Sequence, residues 1–147
     1  MKTGRIAFGA LVGLLLAGCA SVPMAPIDQD SRAKTFPTRT DKSTLYVYRN
    51  ESYGGAARMT VSLDGRVAGQ TGPRTYFVWE VDPGQHEIVS QAENTDTITI
   101  TTAPGKDYYV WQEAKAGVWG AHTRLHIVTD DVGRKAVAEC RLAQSSF

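Results

Sequence analysis

The sequence predicts a mainly all-β domain over residues 43–147: an antiparallel β-sandwich of seven or eight short strands with a short C-terminal helix. Three observations predict it. Apolar residues recur with period two in short runs, the mark of strands buried on one face. Turn signals built on Gly and Pro fall between those runs. The 105 residues from Ser43 onward are enough for one core and too few for two.

The chain opens differently. Lys2 and Arg5 precede a thirteen-residue apolar run, Ile6–Gly18. As a helix it would span about 20 Å, short of the roughly 30 Å hydrocarbon core of a bilayer. It fits the h-region of a signal peptide over residues 1–18. The run ends in Leu16-Ala17-Gly18-Cys19, which resembles the lipobox of bacterial lipoproteins. That resemblance implies cleavage between Gly18 and Cys19 and a diacylglycerol on the Cys19 sulfur, a lipid anchor in place of a membrane helix. Ala20 and Ser21 lack the aspartate that enterobacterial sorting reads as inner-membrane retention, so the resemblance implies the periplasmic face of the outer membrane.

Residues 19–42 are expected to comprise the lipidated cysteine and a flexible tether. They contain three prolines, mixed charge and no sustained apolar period. A free coil of this length would have a root-mean-square span of about 27 Å. Phe36 is its one aromatic residue and could pack back onto the domain.

Strands are then expected near 44–49, 57–63, 66–70, 74–81, 85–91, 96–102, 107–113 and 122–129. In "MTVSL" Met59, Val61 and Leu63 share a face, in "YFVWEV" Phe77, Trp79 and Val81 do, and "TITITT" sets Ile98 and Ile100 against threonines. "YYVWQE" is bulky on both faces, Tyr109 and Trp111 on one, Tyr108 and Val110 on the other. Asp64-Gly65 suits a two-residue hairpin turn. Gly72-Pro73, Pro83-Gly84 and Pro104-Gly105 punctuate later strands. The tail is ambiguous. Thr129-Asp130-Asp131 suits a helix start, whereas Ala136, Ala138, Cys140 and Leu142 alternate as a strand would, and Gly133 costs a helix about 1 kcal/mol. Either way Cys140 is buried, and with Cys19 acylated it has no partner in the chain.

"VSLDGRVAGQT" followed by "VDPGQHEIV" resembles the PEGA-type pattern of an Asp-Gly hairpin leading to a Pro-Gly-x-His hairpin. With "LYVYRN", "YYVWQE" and the lipobox, the chain resembles bacterial lipoproteins of the "domain of unknown function 2846" family over residues 34–142. The resemblance implies a PEGA-like or immunoglobulin-like β-sandwich in the cell envelope. It assigns no active site.

The chemistry-bearing residues give no assembled motif. His122 and His126 would share a helix face, but in a strand they lie about 13 Å apart, too far for one zinc ion; no metal and no cofactor is expected. There is no Gly-x-Ser-x-Gly elbow. Loss of residues 1–18 leaves 14 basic against 15 acidic side chains, with no cluster of the kind that binds nucleic acid. "YGGAARM" lacks the lysine of a phosphate loop, and Gly54-Gly55 reads as a connection or bulge.

The segment "EAKAGVWGAHTRL" breaks the β period and leaves Trp119 between small residues on a loop. Beside Lys115, His122 and Arg124, an exposed Trp119 could anchor an envelope protein or stack on a glycan; the alternative is that Trp119 closes one end of the sandwich. The expected function is therefore a non-catalytic, membrane-anchored structural or interaction module. The competing readings are a small envelope hydrolase using Glu113, His122 and Glu80 as acid–base groups, which must converge on one pocket, and carriage of a small apolar ligand.

Overall fold

The computed structural model describes residues 22–52 and 57–147. The expectations for the signal peptide, for Gly18 and Cys19, and for Gly54-Gly55 fall outside these residues. The described elements are α1 (Ile27–Ala33), β1 (Ser43–Arg49), β2 (Met59–Leu63), β3 (Arg66–Thr71), β4 (Thr75–Val81), β5 (Gly84–Gln91), β6 (Thr95–Thr102), β7 (Asp107–Ala116), β8 (Ala121–Val128), α2 (Asp130–Ala138) and β9 (Arg141–Leu142). The eight strands expected from alternation are all present, each close to its expected bounds. The tail resolves as the helix reading, with Cys140 buried just beyond the helix end; the strand alternation from Ala136 is not formed, and only Arg141–Leu142 pairs as a short strand.

Two sheets face each other, one in the order β8-β7-β1-β4-β9 and one in the order β3-β2-β5-β6. The sandwich is not purely antiparallel: β1 pairs in parallel with β7, and β4 with β9. Inward residues of both sheets meet in one core, with Leu45, Val47, Val61, Phe77, Trp79, Ile88, Ile100, Val110 and Leu125 all buried. Each such side chain contributes about 1.5–3 kcal/mol by leaving water. The Asp64-Gly65 turn has positive φ at both residues (50° and 78°), the geometry of a type I′ hairpin that matches strand twist.

A third layer covers the outer face of the five-stranded sheet. Tyr46, Tyr48, Tyr76 and Tyr109 point outward there and are buried beneath α1, α2 and Phe36. Tyr46 stacks on Tyr109 with ring centroids 4.9 Å apart, and Phe36 packs on both. Every residue of β1 is therefore buried, one face in the core and the other beneath the helices. Gly133 explains itself here: a Cβ at this position would overlap the Tyr109 side chain, so its absence lets α2 lie against the sheet. Thr129 does not cap α2 as expected; its hydroxyl donates to the Asp131 carboxylate at 2.5 Å and makes no bond to the helix backbone.

The tether expectation fails from Val22 onward. Val22 and Ala25 are buried, Met24 bridges to Ala143, and Ala25 N–H donates to Leu142 O. Asp30 is only 4% exposed. Its carboxylate accepts from the Tyr76 hydroxyl (2.8 Å) and Leu142 N–H (3.0 Å) and pairs with Lys34 (3.0 Å). Burial raises the Asp30 carboxyl, but these partners outweigh it and hold the group below its ordinary value. The segment docks through Val22, Ala25, the Asp30 carboxylate and, at its far end, Phe36, a set with no apolar period.

The strand directions give the sandwich two unlike ends. One gathers the β3–β4 turn at Gly72-Pro73-Arg74, the β5–β6 turn at Ala92–Asn94 and the β7–β8 hairpin tip at Gly117–Gly120. The other gathers the β2–β3, β4–β5 and β6–β7 turns.

Candidate functional site

The β7–β8 hairpin carries the four residues singled out for binding. Its register sets Trp111 opposite His126, Glu113 opposite Arg124 and Lys115 opposite His122, three rungs on the outward face. Directly opposed side chains on one sheet face are neighbours. Trp111 stacks on His126 with centroids 5.0 Å apart, and His126 Nε2 lies 2.8 Å from Glu113 Oε2. The His126 bond, followed by the Lys115 ammonium 3.5 Å away, holds the Glu113 carboxyl below its ordinary value against the effect of burial. Lys115, His122 and Arg124 are exposed on this ladder.

Trp119 stands at the tip, 94% exposed, beside Val118 at 79%. It does not close the sandwich; that alternative is overturned. The tip is nevertheless tied down. Glu93, from the β5–β6 turn, accepts the N–H groups of Val118 (2.9 Å) and Trp119 (2.5 Å), and its Oε2 lies 3.2 Å from His122 Nε2. Burial pushes the Glu93 carboxyl up, while the N–H groups of Trp119, Val118 and Gly120 with His122 outweigh it, so the group stays ionised below its ordinary pKa. A Cβ at Gly117 would overlap the Glu93 carboxylate, which accounts for a glycine at that position.

Beneath the tip the interior turns polar. Gln112, fully buried on the inward face of β7, accepts from the Thr71 hydroxyl (2.6 Å) and donates to Ser90 Oγ (2.7 Å), which lies 2.6 Å from Thr123 Oγ1. Asn94 bonds both backbone groups of Thr123. Glu51 accepts Ala114 N–H at 2.6 Å and lies 3.5 Å from buried Arg49, whose Nη1 donates to Ala57 O. The two sheets are thus cross-linked by hydrogen bonds where a sandwich end would otherwise be filled with apolar side chains.

The acid–base set of the hydrolase reading is not brought together. His122 reaches Glu93 and Glu113 reaches His126, while Glu80 faces Arg39 at 3.4 Å at the opposite end. His86, also at that end, lies between Asp64 (2.7 Å) and the Asp82 carbonyl (2.6 Å). Among the described residues no group of three His, Cys, Asp or Glu is arranged to hold a metal ion, and no helix is long and apolar enough to cross a membrane. A groove of about 730 Å³ runs between α1 and the C-terminal segment, away from the hairpin. Cys140 is buried and its thiol is pushed up to about 12, chiefly by that burial, which leaves it un-ionised.

Sequence reading found the hairpin residues but missed the role of Glu93 and the Gln112 network. The two glycines bracketing Trp119 were the available signal, since they mark a close approach; they do not say which group approaches.

Comparison with known proteins gives a family and no activity. The family described as "Protein of unknown function (DUF2846)" matches residues 39–123. An uncharacterized protein of Haemophilus influenzae (strain Rd) is 34% identical over 137 residues, covering 91% of this chain and 81% of that protein. No solved structure matches significantly.

Proposed function

The chain belongs to the DUF2846 family of proteins of unknown function, and from that premise we propose that it is a lipid-anchored envelope protein on the periplasmic face of the bacterial outer membrane. Its sandwich serves as a non-catalytic interaction module, and the β7–β8 hairpin is the contacting element. One observation carries this reading. Val22, three residues after Cys19, is already packed into the folded domain beside Gly72. A lipid on Cys19 would therefore be joined to the packed domain by only three residues of chain, at most about 11 Å. The charged start, short apolar run and Leu16–Cys19 stretch support the same anchor. A rigidly presented Trp119 supports a contact role, because aromatic side chains held out of a fold anchor interfaces.

Metabolic labelling with radioactive palmitate in a bacterial host tests the anchor. The expected result is a labelled mature chain starting at Cys19 and no label on Cys19→Ala. Label retained by that variant, or a purified chain with an intact Met1, refutes it.

A further inference from the structure

The same end of the sandwich carries both the N-terminal attachment and the exposed hairpin tip. Val22 contacts Gly72 in the β3–β4 turn, and that turn leads into Thr75, which pairs with Arg49 at the end of β1. The parallel partner β7 passes Trp111 opposite Tyr48 and continues to Ala116 before the tip. At about 3.3 Å per residue it overhangs the end of β1 by about 13 Å. Three residues of extended chain from Val22 back to Cys19 span at most about 11 Å. Overhang and reach are alike, so one plane can receive both an acyl group on Cys19 and the tip.

What the tip presents suits that plane. Trp119 and Val118 are the two most exposed large hydrophobic residues described. Arg58, Arg74 and Arg141 are exposed at the same end, and Lys115 and Arg124 flank the hairpin. The opposite end carries the carboxylates of Glu80, Asp82 and Asp64 in ion pairs, while near the tip Glu113 pairs with Lys115 and Glu93 with His122. Trp favours the headgroup layer, where its ring is half in hydrocarbon and its N–H stays wet, and basic residues near an anionic surface add attraction. Glu93 keeps the Trp119 backbone satisfied within the protein, so the side chain can enter without exposing unpaired N–H groups.

We infer that the β7–β8 tip is a second membrane contact, with Trp119 and Val118 seated in the headgroup layer of the bilayer that holds the Cys19 lipid. The contact fixes the orientation of the sandwich and turns the opposite end away from the membrane. It rests on the lipid-anchor reading above.

The test uses the full lipidated chain in vesicles of phosphatidylethanolamine and phosphatidylglycerol, with bromine on the acyl chains near the headgroups. Subtracting the emission of Trp119→Phe isolates Trp119 from Trp79 and Trp111. Trp119 is almost fully exposed, so the variant keeps its fold, which circular dichroism confirms. The expected Trp119 component shifts to shorter wavelength in vesicles and loses most of its intensity to bromine. The mass of the N-terminal peptide from the same preparation reads acylation separately. An acylated chain whose Trp119 emission stays water-like overturns the inference and leaves the anchor intact. An unacylated chain overturns both. Protection of Trp119 by an added envelope protein or glycan, but not by lipid, overturns the inference in favour of that partner.

Discussion

Replacing Gly133 with alanine should destabilise the protein, although the same change in an exposed helix stabilises by about 1 kcal/mol. The reversal comes from one contact. The added methyl would lie 2.1–2.5 Å from Cγ, Cβ and Cδ1 of Tyr109. That ring cannot retreat, since Tyr46 stacks on it at 4.9 Å and Phe36 packs at 6.3 Å. Overpacking a filled site costs about 1–3 kcal/mol and sometimes more. Whole-atom overlap against a buried aromatic belongs at the upper end, so the net loss is about 1–2 kcal/mol, or roughly 5–10 °C in Tm for a domain of this size. Urea and thermal unfolding by circular dichroism measure it. Repeating Gly133→Ala in a Tyr109→Ala background removes Cγ and Cδ1 and leaves only Cβ in the way, so there the loss should be clearly smaller. A higher Tm for Gly133→Ala alone, or an equal loss in both backgrounds, refutes the packing of α2 on Tyr109.

Glu93 has a lowered folded pKa, so its contribution is present above its ordinary 4.5 and is lost as pH falls through the folded value. The amide resonances of Val118 and Trp119 should therefore titrate with a midpoint below 4.5; a midpoint at or above it refutes the clamp. His86 runs the other way: burial lowers it, but Asp64 and the Asp82 carbonyl raise it further, so its contribution is full below 6.5 and is lost as pH rises through the raised value. His86→Gln should accordingly lower Tm more below pH 6.5 than in alkali, and a pH-independent difference counts against the pairing. Gln112→Leu takes one hydrogen-bond partner each from the Thr71 and Ser90 hydroxyls, which keep Met59 O and Thr123 Oγ1, and should cost about 1–3 kcal/mol in urea unfolding; an unchanged midpoint rules out the network. Trp119→Ala should stay within about 0.5 kcal/mol of the parent, as exposed substitutions do, and a sharp fall in Tm would return Trp119 to the fold.

The strands were legible because one-sided burial writes itself as alternation, as in Met59, Val61 and Leu63. β1 was legible as a strand, but its depth was not. The Tyr46 and Tyr48 face looks amphipathic in sequence, and only the helices packed over it make it interior. The parallel β1–β7 pairing was out of reach for another reason: pairing partners are set by distant contacts, whereas alternation reports only local burial. The docking of residues 22–36 left only Phe36 as a trace, because its other anchors, Val22, Ala25 and buried Asp30, form a set without period. At the hairpin the sequence named Trp119, Lys115, His122 and Arg124, all of which share one β-hairpin. Glu93 lies 25 residues before Val118, a separation at which no local pattern speaks.

The two ends of the sandwich divide stability and contact in different ways. Phe77, Trp79 and Ile88 belong to the main apolar cluster, while toward the hairpin Met59, Ala114 and Ala121 form a separate, small one. Polar closure by Gln112, Ser90, Thr71 and Thr123 replaces the large side chain that would otherwise be needed there. Because every member of that set is bonded, it fixes the end without drawing Trp119 inward. A tryptophan that the fold neither needs nor covers, on a tip whose backbone is satisfied by Glu93, has its apolar surface left for something outside the chain. On the reading proposed above, a lipid on Cys19 would make the bilayer that surface.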